Sequence, residues 1–410
     1  MDFIEVNSEI GHLEGVILHT PGEEIEQMVP DNIHEALYSD LLNVDIASRE
    51  YSDFEGVLSK WTKTYKVRDL LVKVLEQKED KMELLNKVLQ AENKLFLYAE
   101  LMEKTPEELA DILIGGYPYV EGSHPEQFRS KRYVLNPLYN LFFTRDASSA
   151  VYDKVLIHAM STSVRDRESY VMDAIFRHVF GVETINPKAV PGTTTEGGDV
   201  LIAREDVLFV GNGCRTNKAG IDFLIKYFAT RKERQHIIIQ QLPDKPDSFI
   251  HLDMVFTMLA QDRCMIYEPL IRNVYGNFGV THVEIDNGQI RYHHMDDFLE
   301  AVKHVGFDMQ PVLCGGDDLW HQQREQWHSG ANFFALGEGK VLGYARNRYT
   351  LDALDKADFE VLKAVDVCSG KVNMQNYDRF VVAFDAAELP RGGGGARCMT
   401  MPIKRRKVEW

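Results

Sequence analysis

Four times between residues 140 and 345, a polar or charged residue opens onto an apolar strand, a turn and a second apolar strand. Phe143-Thr144-Arg145-Asp146 leads into residues 151–157. Glu196-Gly197-Gly198-Asp199 leads into 200–202 and then 207–210. His251-Leu252-Asp253 leads into 255–259 and 264–267, and Gly330-Ala331-Asn332 into 333–336 and 340–344. Helical segments over 169–180 and 220–228 lie between units. A recurrence of roughly 50 to 80 residues is near that of propeller-like repeat architectures. A strand after Gly15 and a unit at Cys398 raise the count to five, so the expected fold is a pseudo-symmetric, five-bladed α/β propeller. In such an arrangement equivalent positions converge on the axis. Asp146, Glu196, His251, Asp253 and Cys398 are then expected to line one pocket, although 252 residues (398 − 146) separate the first from the last.

One block breaks the pattern. Leu71, Val74, Leu75, Met82, Leu85, Val88 and Leu89 recur at three- and four-residue steps among Lys and Glu, which is amphipathic helical spacing. Thr105-Pro106-Glu107-Glu108 has the cap, the proline and the acidic residue of a helix start, and Gly115-Gly116 stop it. The organisation expected is a propeller formed by residues 1–48 and 133–410, with an α-helical insertion over 49–132. A coiled-coil partner surface is the rival, but the spacing keeps no strict heptad.

A net charge of -17 excludes a general nucleic-acid binder, which needs clustered Lys and Arg, and suits a cationic substrate. No run approaches the roughly 18 apolar residues that span a bilayer. The N-terminus has no secretory pattern, and the five cysteines are odd in number and contain no CxxC pair. A cytoplasmic protein, free of membrane and nucleic-acid partners, is expected. Lys404-Arg405-Arg406-Lys407 reads as a solvated tail.

Near the C-terminus, Arg391-Gly392-Gly393-Gly394-Gly395-Ala396-Arg397-Cys398 combines a glycine loop, free to approach a ligand closely, with a single cysteine. The flanking Arg397 is expected to favour thiolate, the nucleophilic form. His251 supplies an imidazole for proton transfer, and its two-residue offset from Asp253 places both on one face if the segment is a strand. Three carboxylates around one thiol repel unless a cation sits among them. The short ligand spacings of a metal site are absent, so no metal is expected. A guanidinium fits better. It is planar and pairs with carboxylates through two parallel N–H bonds, which would hold its carbon for attack by sulfur.

Asn140-Leu141-Phe142-Phe143-Thr144-Arg145-Asp146, Glu196-Gly197-Gly198-Asp199, His251-Leu252-Asp253 and the glycine-rich Cys398 loop, in that order, resemble the arginine deiminase family of the guanidine-modifying (pentein) superfamily. The resemblance runs nearly the length of the chain and implies the five-bladed α/β propeller. It implies hydrolysis of free L-arginine to L-citrulline and ammonia without a cofactor, through a covalent amidino-cysteine at Cys398. Asp146 and Asp253 would bind the guanidinium. His251, supported by Glu196, would protonate ammonia and then activate water. Asn140, Phe143 and Gly393 would hold the substrate body, and Arg165 and Arg215 its carboxylate. Arg397 stands where some members have histidine, and Gly393 where some have arginine. Contact with the substrate, tuning of the thiol and capping of the turn all remain open for Arg397. A homo-oligomer is expected. The alternatives are a deiminase or amidinotransferase for agmatine or methylarginine, and a non-catalytic binding propeller.

Overall fold

Apolar runs separated by a tight turn pair first with their neighbour in sequence, because that closes the shortest loop. The computed structural model, which describes residues 4–125, 127, 132–231, 233–274, 276 and 278–410, is an α/β fold built on that rule. Five sheets share one pattern: an antiparallel pair, then a strand added parallel to its second member. Ser148–Val151 pairs with Lys154–Ile157, and Thr184–Ile185 lies parallel to the latter. Val200–Arg204, Val207–Asn212 and Gln235–Gln241 repeat the pattern, with Val280–Asp286 and Gln289–Met295 extending that sheet. Phe256–Met258, Arg263–Ile266 and Gln310–Leu313 form the next. Phe334–Gly337, Lys340–Tyr344 and Phe380–Phe384 follow, with Glu360–Lys363 outside. The fifth sheet joins the two ends of the chain. Met401–Arg405 runs antiparallel to Leu13–Leu18, and Lys63–Lys66 lies parallel to that strand.

Several expectations change here. Residues 151–157 are not one strand; Tyr152, at φ 60°, turns the chain between two. The helix over 169–180 starts earlier, at Asp166–Ala174, and ends in a wider turn, Ile175–Val179. Within the block read as helical, Lys63–Lys66 is a strand at the edge of the fifth sheet. Helix Val44–Trp61 buries Tyr51, Phe54 and Leu58 in one apolar cluster with Phe334, Phe380 and Val382. From Val67 onward, Leu71, Leu85 and Leu109 pack instead in a cluster with Ala150, Val155 and Met172. The helix Pro106–Gly115 starts as its sequence dictates: Thr105 Oγ1 accepts from the Glu108 N–H, and Glu108 returns a bond to the Thr105 N–H. Residues 404–407 are a solvated tail only in part: Arg406 and Lys407 are exposed, but Lys404 and Arg405 belong to the strand Met401–Arg405. Arg405 is buried, donating to the carbonyls of Gly11 and Ala335. Among the described residues, no helix is long and apolar enough to cross a membrane.

The loops preceding the five first strands interlock, since buried backbone polar groups must find partners. The Arg145 N–H donates to the Cys398 carbonyl (3.1 Å) and the Gly197 N–H to that of Asp146 (3.0 Å). The Leu252 N–H donates to the Asp199 carboxylate (2.9 Å). Asn332 Nδ2 donates to the Asp253 carbonyl (3.0 Å), and Asn332 Oδ1 accepts from the N–H groups of Arg397 (2.9 Å) and Cys398 (3.3 Å). The hydrogen bonds thus return to the loop where they began.

Candidate active site

Each of these loops contributes a buried polar side chain. Cys398, 3% exposed, has its Sγ 3.8 Å from Asp253 Oδ2 and 3.9 Å from Met254 Sδ, and it accepts from Asn332 Nδ2 at 3.3 Å. His251 Nε2 meets Glu196 Oε2 at 2.9 Å, and its Nδ1 lies 3.9 Å from Asp146 Oδ1. The ring fits only because residue 198 is glycine: a Cβ there would sit 2.5 Å from Nδ1. Glu196 Oε1 accepts from the Ser161 hydroxyl at 2.7 Å and backbone N–H at 3.1 Å.

The two aspartates are alike in one respect. Asp146 gives Oδ2 to Arg165 Nη1 (2.6 Å), and Asp253 gives Oδ2 to Arg397 Nη1 (2.9 Å). The other oxygen of each, Oδ1, is buried without a hydrogen-bond partner among the described residues. A buried carboxylate oxygen left unpaired is costly and marks where a ligand's N–H groups belong.

Charge sets the protonation states. Burial works against the imidazolium of His251, yet the Asp146 charge and the Glu196 hydrogen bond outweigh it and raise its pKa to about 9. Glu196 is held well below the usual carboxylate range, because Arg215 and His251 overcome the effect of burial. Burial, joined by the charges of Asp253 and Asp146, drives the Cys398 thiol well above its ordinary value. The Arg397 charge does favour thiolate, as expected, but burial and the two carboxylates outweigh it. The Arg397 guanidinium turns away from the sulfur onto Glu9, with Nε and Nη2 each 3.0 Å from a carboxylate oxygen, and onto Asp253. Two carboxylates absorb its charge.

A cavity of about 30 Å³ opens beside the sulfur, with Asn140, Phe143, Asp146, Arg165, His251 and Gly394 in its wall. It has room for about two waters. Leu37, Ile250, Arg215 and Gly393 separate it from an outer chamber of about 220 Å³, which Trp327 and Arg391 also line. Leu37 stands at φ 66°, a left-handed conformation uncommon outside glycine. Asn140 Nδ2 holds the carbonyl of the preceding residue, Ala36, at 2.8 Å. Asn140 therefore ties down the segment that carries Leu37.

The structure brings Asp146, Glu196, His251, Asp253 and Cys398 together, with Asn140, Phe143, Arg165, Arg215 and Gly393 on the cavity. Arg397 is not in its wall. Arg165 is committed, donating from Nε and Nη2 to Glu168 besides its bond to Asp146. Among the described residues Arg215 makes one long side-chain contact, 3.5 Å to Glu196. His251 and Asp253 do not share a strand face; Leu252–Met254 is a tight helical turn. Sequence reasoning missed Glu9, Glu168 and Asn332. Only Asn332 carried a signal, since it opens a repeat unit as Asp146 and Glu196 do. Among the described residues, the one His/Asp/Glu/Cys group compact enough to hold an ion is Asp146, Glu196 and His251. Two of its members are already bonded to each other.

The chain also has relatives among known proteins. Residues 34–405 match the family model described as arginine deiminase. The chain is 30% identical over 438 aligned residues to the arginine deiminase of Bacillus cereus, covering 99% of each protein, and 29% identical to that of Bacillus thuringiensis over a like span. Among solved structures, the N-terminal domain of ArgZ bound covalently to a reaction intermediate superposes with a TM-score of 0.54 at 11% identity, covering 95% of this chain and 98% of that one. A dimethylarginine dimethylaminohydrolase adduct superposes with a TM-score of 0.52 at 11% identity, covering 95% and 99%. At that identity the likeness is one of fold.

Proposed function

The chain belongs to the arginine deiminase family, and from that premise we propose how its site hydrolyses free L-arginine to L-citrulline and ammonia. The observation that carries the reading is the pair of orphaned oxygens. Asp146 Oδ1 and Asp253 Oδ1 accept N–H groups of the guanidinium, holding its central carbon over Cys398 Sγ. Arg165 and Arg397 keep the second oxygen of each aspartate occupied and its charge in place.

The arriving cation offsets the two carboxylate charges that hold the thiol protonated, so the sulfur ionises in the complex and its proton passes to solvent. The thiolate adds to the guanidinium carbon. His251, charged near neutral pH, gives its proton to the departing nitrogen as the C–N bond breaks, leaving an amidino-cysteine and ammonia. The imidazole, now neutral, takes a proton from water as that oxygen adds to the same carbon. The C–S bond then breaks, releasing citrulline and restoring the thiol. Glu196 orients the ring throughout. Arg215, borne on the boundary between inner cavity and outer chamber, pairs with the substrate's carboxylate, and Phe143 packs on its stem.

The same reading arranges the five like-patterned sheets as blades of a propeller, supported by the closed ring of loop hydrogen bonds, with a helical insertion beginning at Val67. A reducing, cytoplasmic setting draws support from five unbridged cysteines. The purified protein incubated with arginine, agmatine and methylarginine should form its ureido product from arginine. Cys398→Ser should release no ammonia; turnover near that of the parent rejects the nucleophile, and preference for agmatine rejects the carboxylate contact.

A further inference from the structure

Four of the five loops around the sulfur hold groups to which the reaction gives a role. The fifth holds Asn332, 1% exposed, two residues before the strand Phe334–Gly337. Its amide engages the nucleophile from two sides. Oδ1 receives the backbone N–H groups of Arg397 and Cys398, fixing the loop that presents the sulfur. Nδ2 donates to the Asp253 carbonyl and lies 3.3 Å from Cys398 Sγ. Among the described residues it is the one side chain donating to that sulfur. The glycine loop is shaped around it, since a Cβ at Gly395 would sit 2.6 Å from Oδ1.

We propose that Asn332 is a positioning residue that aims the Cys398 sulfur and stabilises its thiolate through the Nδ2–H donor. The proposal rests on Cys398 being the nucleophile. The Asp253 carboxylate at 3.8 Å, the Met254 thioether at 3.9 Å and exclusion of water oppose its charge, and only the Gly395 backbone N–H and the Arg397 charge work the other way. A donor there has to be neutral. A lysine or arginine in its place would pair with Asp253 Oδ1, the oxygen that the substrate cation needs. A carboxamide can donate to sulfur and accept from two amides at once, and two amide–backbone bonds lock its orientation.

Asn332→Ala tests this in the full-length protein. The pH dependence of Cys398 carbamidomethylation by iodoacetamide, read by peptide mass spectrometry, should move to higher pH by about one to two units, the worth of one hydrogen bond to a charged group. The turnover number should fall at least about tenfold, with KM for arginine within about threefold of the parent. A merely structural residue would lower the melting temperature and leave the alkylation profile of the folded protein in place. A profile within about 0.3 units of the parent's, or turnover within about threefold, overturns the proposal. If Asn332→Ala does not fold, Asn332→Asp keeps the acceptor toward Arg397 and Cys398 but lacks the donor. It should lose turnover to at least the same extent, and parent-like turnover overturns the proposal equally. Cys398→Ser in parallel separates the failures. If it still releases ammonia, both readings fall; if it is inert while Asn332→Ala behaves as the parent, only this one does.

Discussion

Asp146→Asn preserves shape and removes one charge, and the geometry dictates two losses. The first is the grip on the substrate. Among the described residues Asp146 Oδ1 has no hydrogen-bond partner, so the bond proposed for it to a guanidinium N–H is charge-assisted. A bond of that kind is worth about 1.5–3 kcal/mol, or roughly 10- to 150-fold in affinity. The second is the charge on His251. At 3.9 Å and an effective dielectric of 20, the attraction between imidazolium and carboxylate is about 4 kcal/mol. The whole rise from 6.5 to about 9 corresponds to about 3.4 kcal/mol (2.5 × 1.36) after burial has taken its share. Asp146 leads the groups producing that rise and Glu196 remains, so the substitution should lower the His251 pKa by about one to two units. The sign for stability follows. A raised histidine pKa stabilises fully below 6.5, and the contribution is lost as pH rises through about 9. The variant should therefore lose more stability at pH 6 than at pH 10, where the weakened pairing with Arg165 is the part that remains. In a Cys398→Ser background, calorimetry would measure arginine binding without turnover and proton NMR would titrate His251. Arginine binding within about threefold of the background, or an unmoved His251 midpoint, refutes the reasoning.

Glu9→Gln breaks a buried ion pair that reaches Asp253 only through Arg397. The Glu9 pKa is lowered from 4.5 to about 2: burial opposes ionisation, and Arg397 followed by Arg145 overcomes it. That shift amounts to about 3 kcal/mol (2.5 × 1.36), near the usual cost of removing one partner of a buried pair. Because the folded pKa is depressed, the contribution is complete above pH 4.5 and is lost as pH falls toward 2. Urea unfolding should show the gap between parent and variant steady at neutral pH and closing on the acid side; a gap under about 1 kcal/mol at pH 7 is contrary to expectation. Exhaustive chelation should leave ammonia release unchanged, since Asp146, Glu196 and His251 are read as serving the guanidinium and the proton rather than an ion. Loss of activity restored by a divalent metal would reverse that assignment.

The repeat was legible because every first strand begins just after a buried polar residue, and that alternation survives in the sequence at Asp146, Glu196, Asp253 and Cys398. What could not be read is what the third dimension decides. Lys63-Thr64-Tyr65-Lys66 lies among helices and has no apolar run of its own, so nothing local marks it as the outer strand of the fifth sheet. Arg397 adjoins Cys398 in sequence, but its guanidinium points elsewhere, because Glu9, 388 residues away, draws it there. His251 and Asp253 have the two-residue spacing of a strand yet sit on a tight turn, where Asp199 captures the Leu252 N–H. Asn332 stood in the right place in its unit, but an amide does not advertise chemistry as a carboxylate or thiol does.

The sheet that joins Leu13–Leu18 to Met401–Arg405 bears on the protein's life before folding is complete. On the ribosome, a chain that has emerged through Asp253 already carries its carboxylates and imidazole, but the loop with the sulfur has yet to be made. Contacts so distant in sequence form late and slowly. A stalled or clipped product therefore lacks the loop read here as carrying the nucleophile, and the proposed site is complete only once the strands from the two ends have paired.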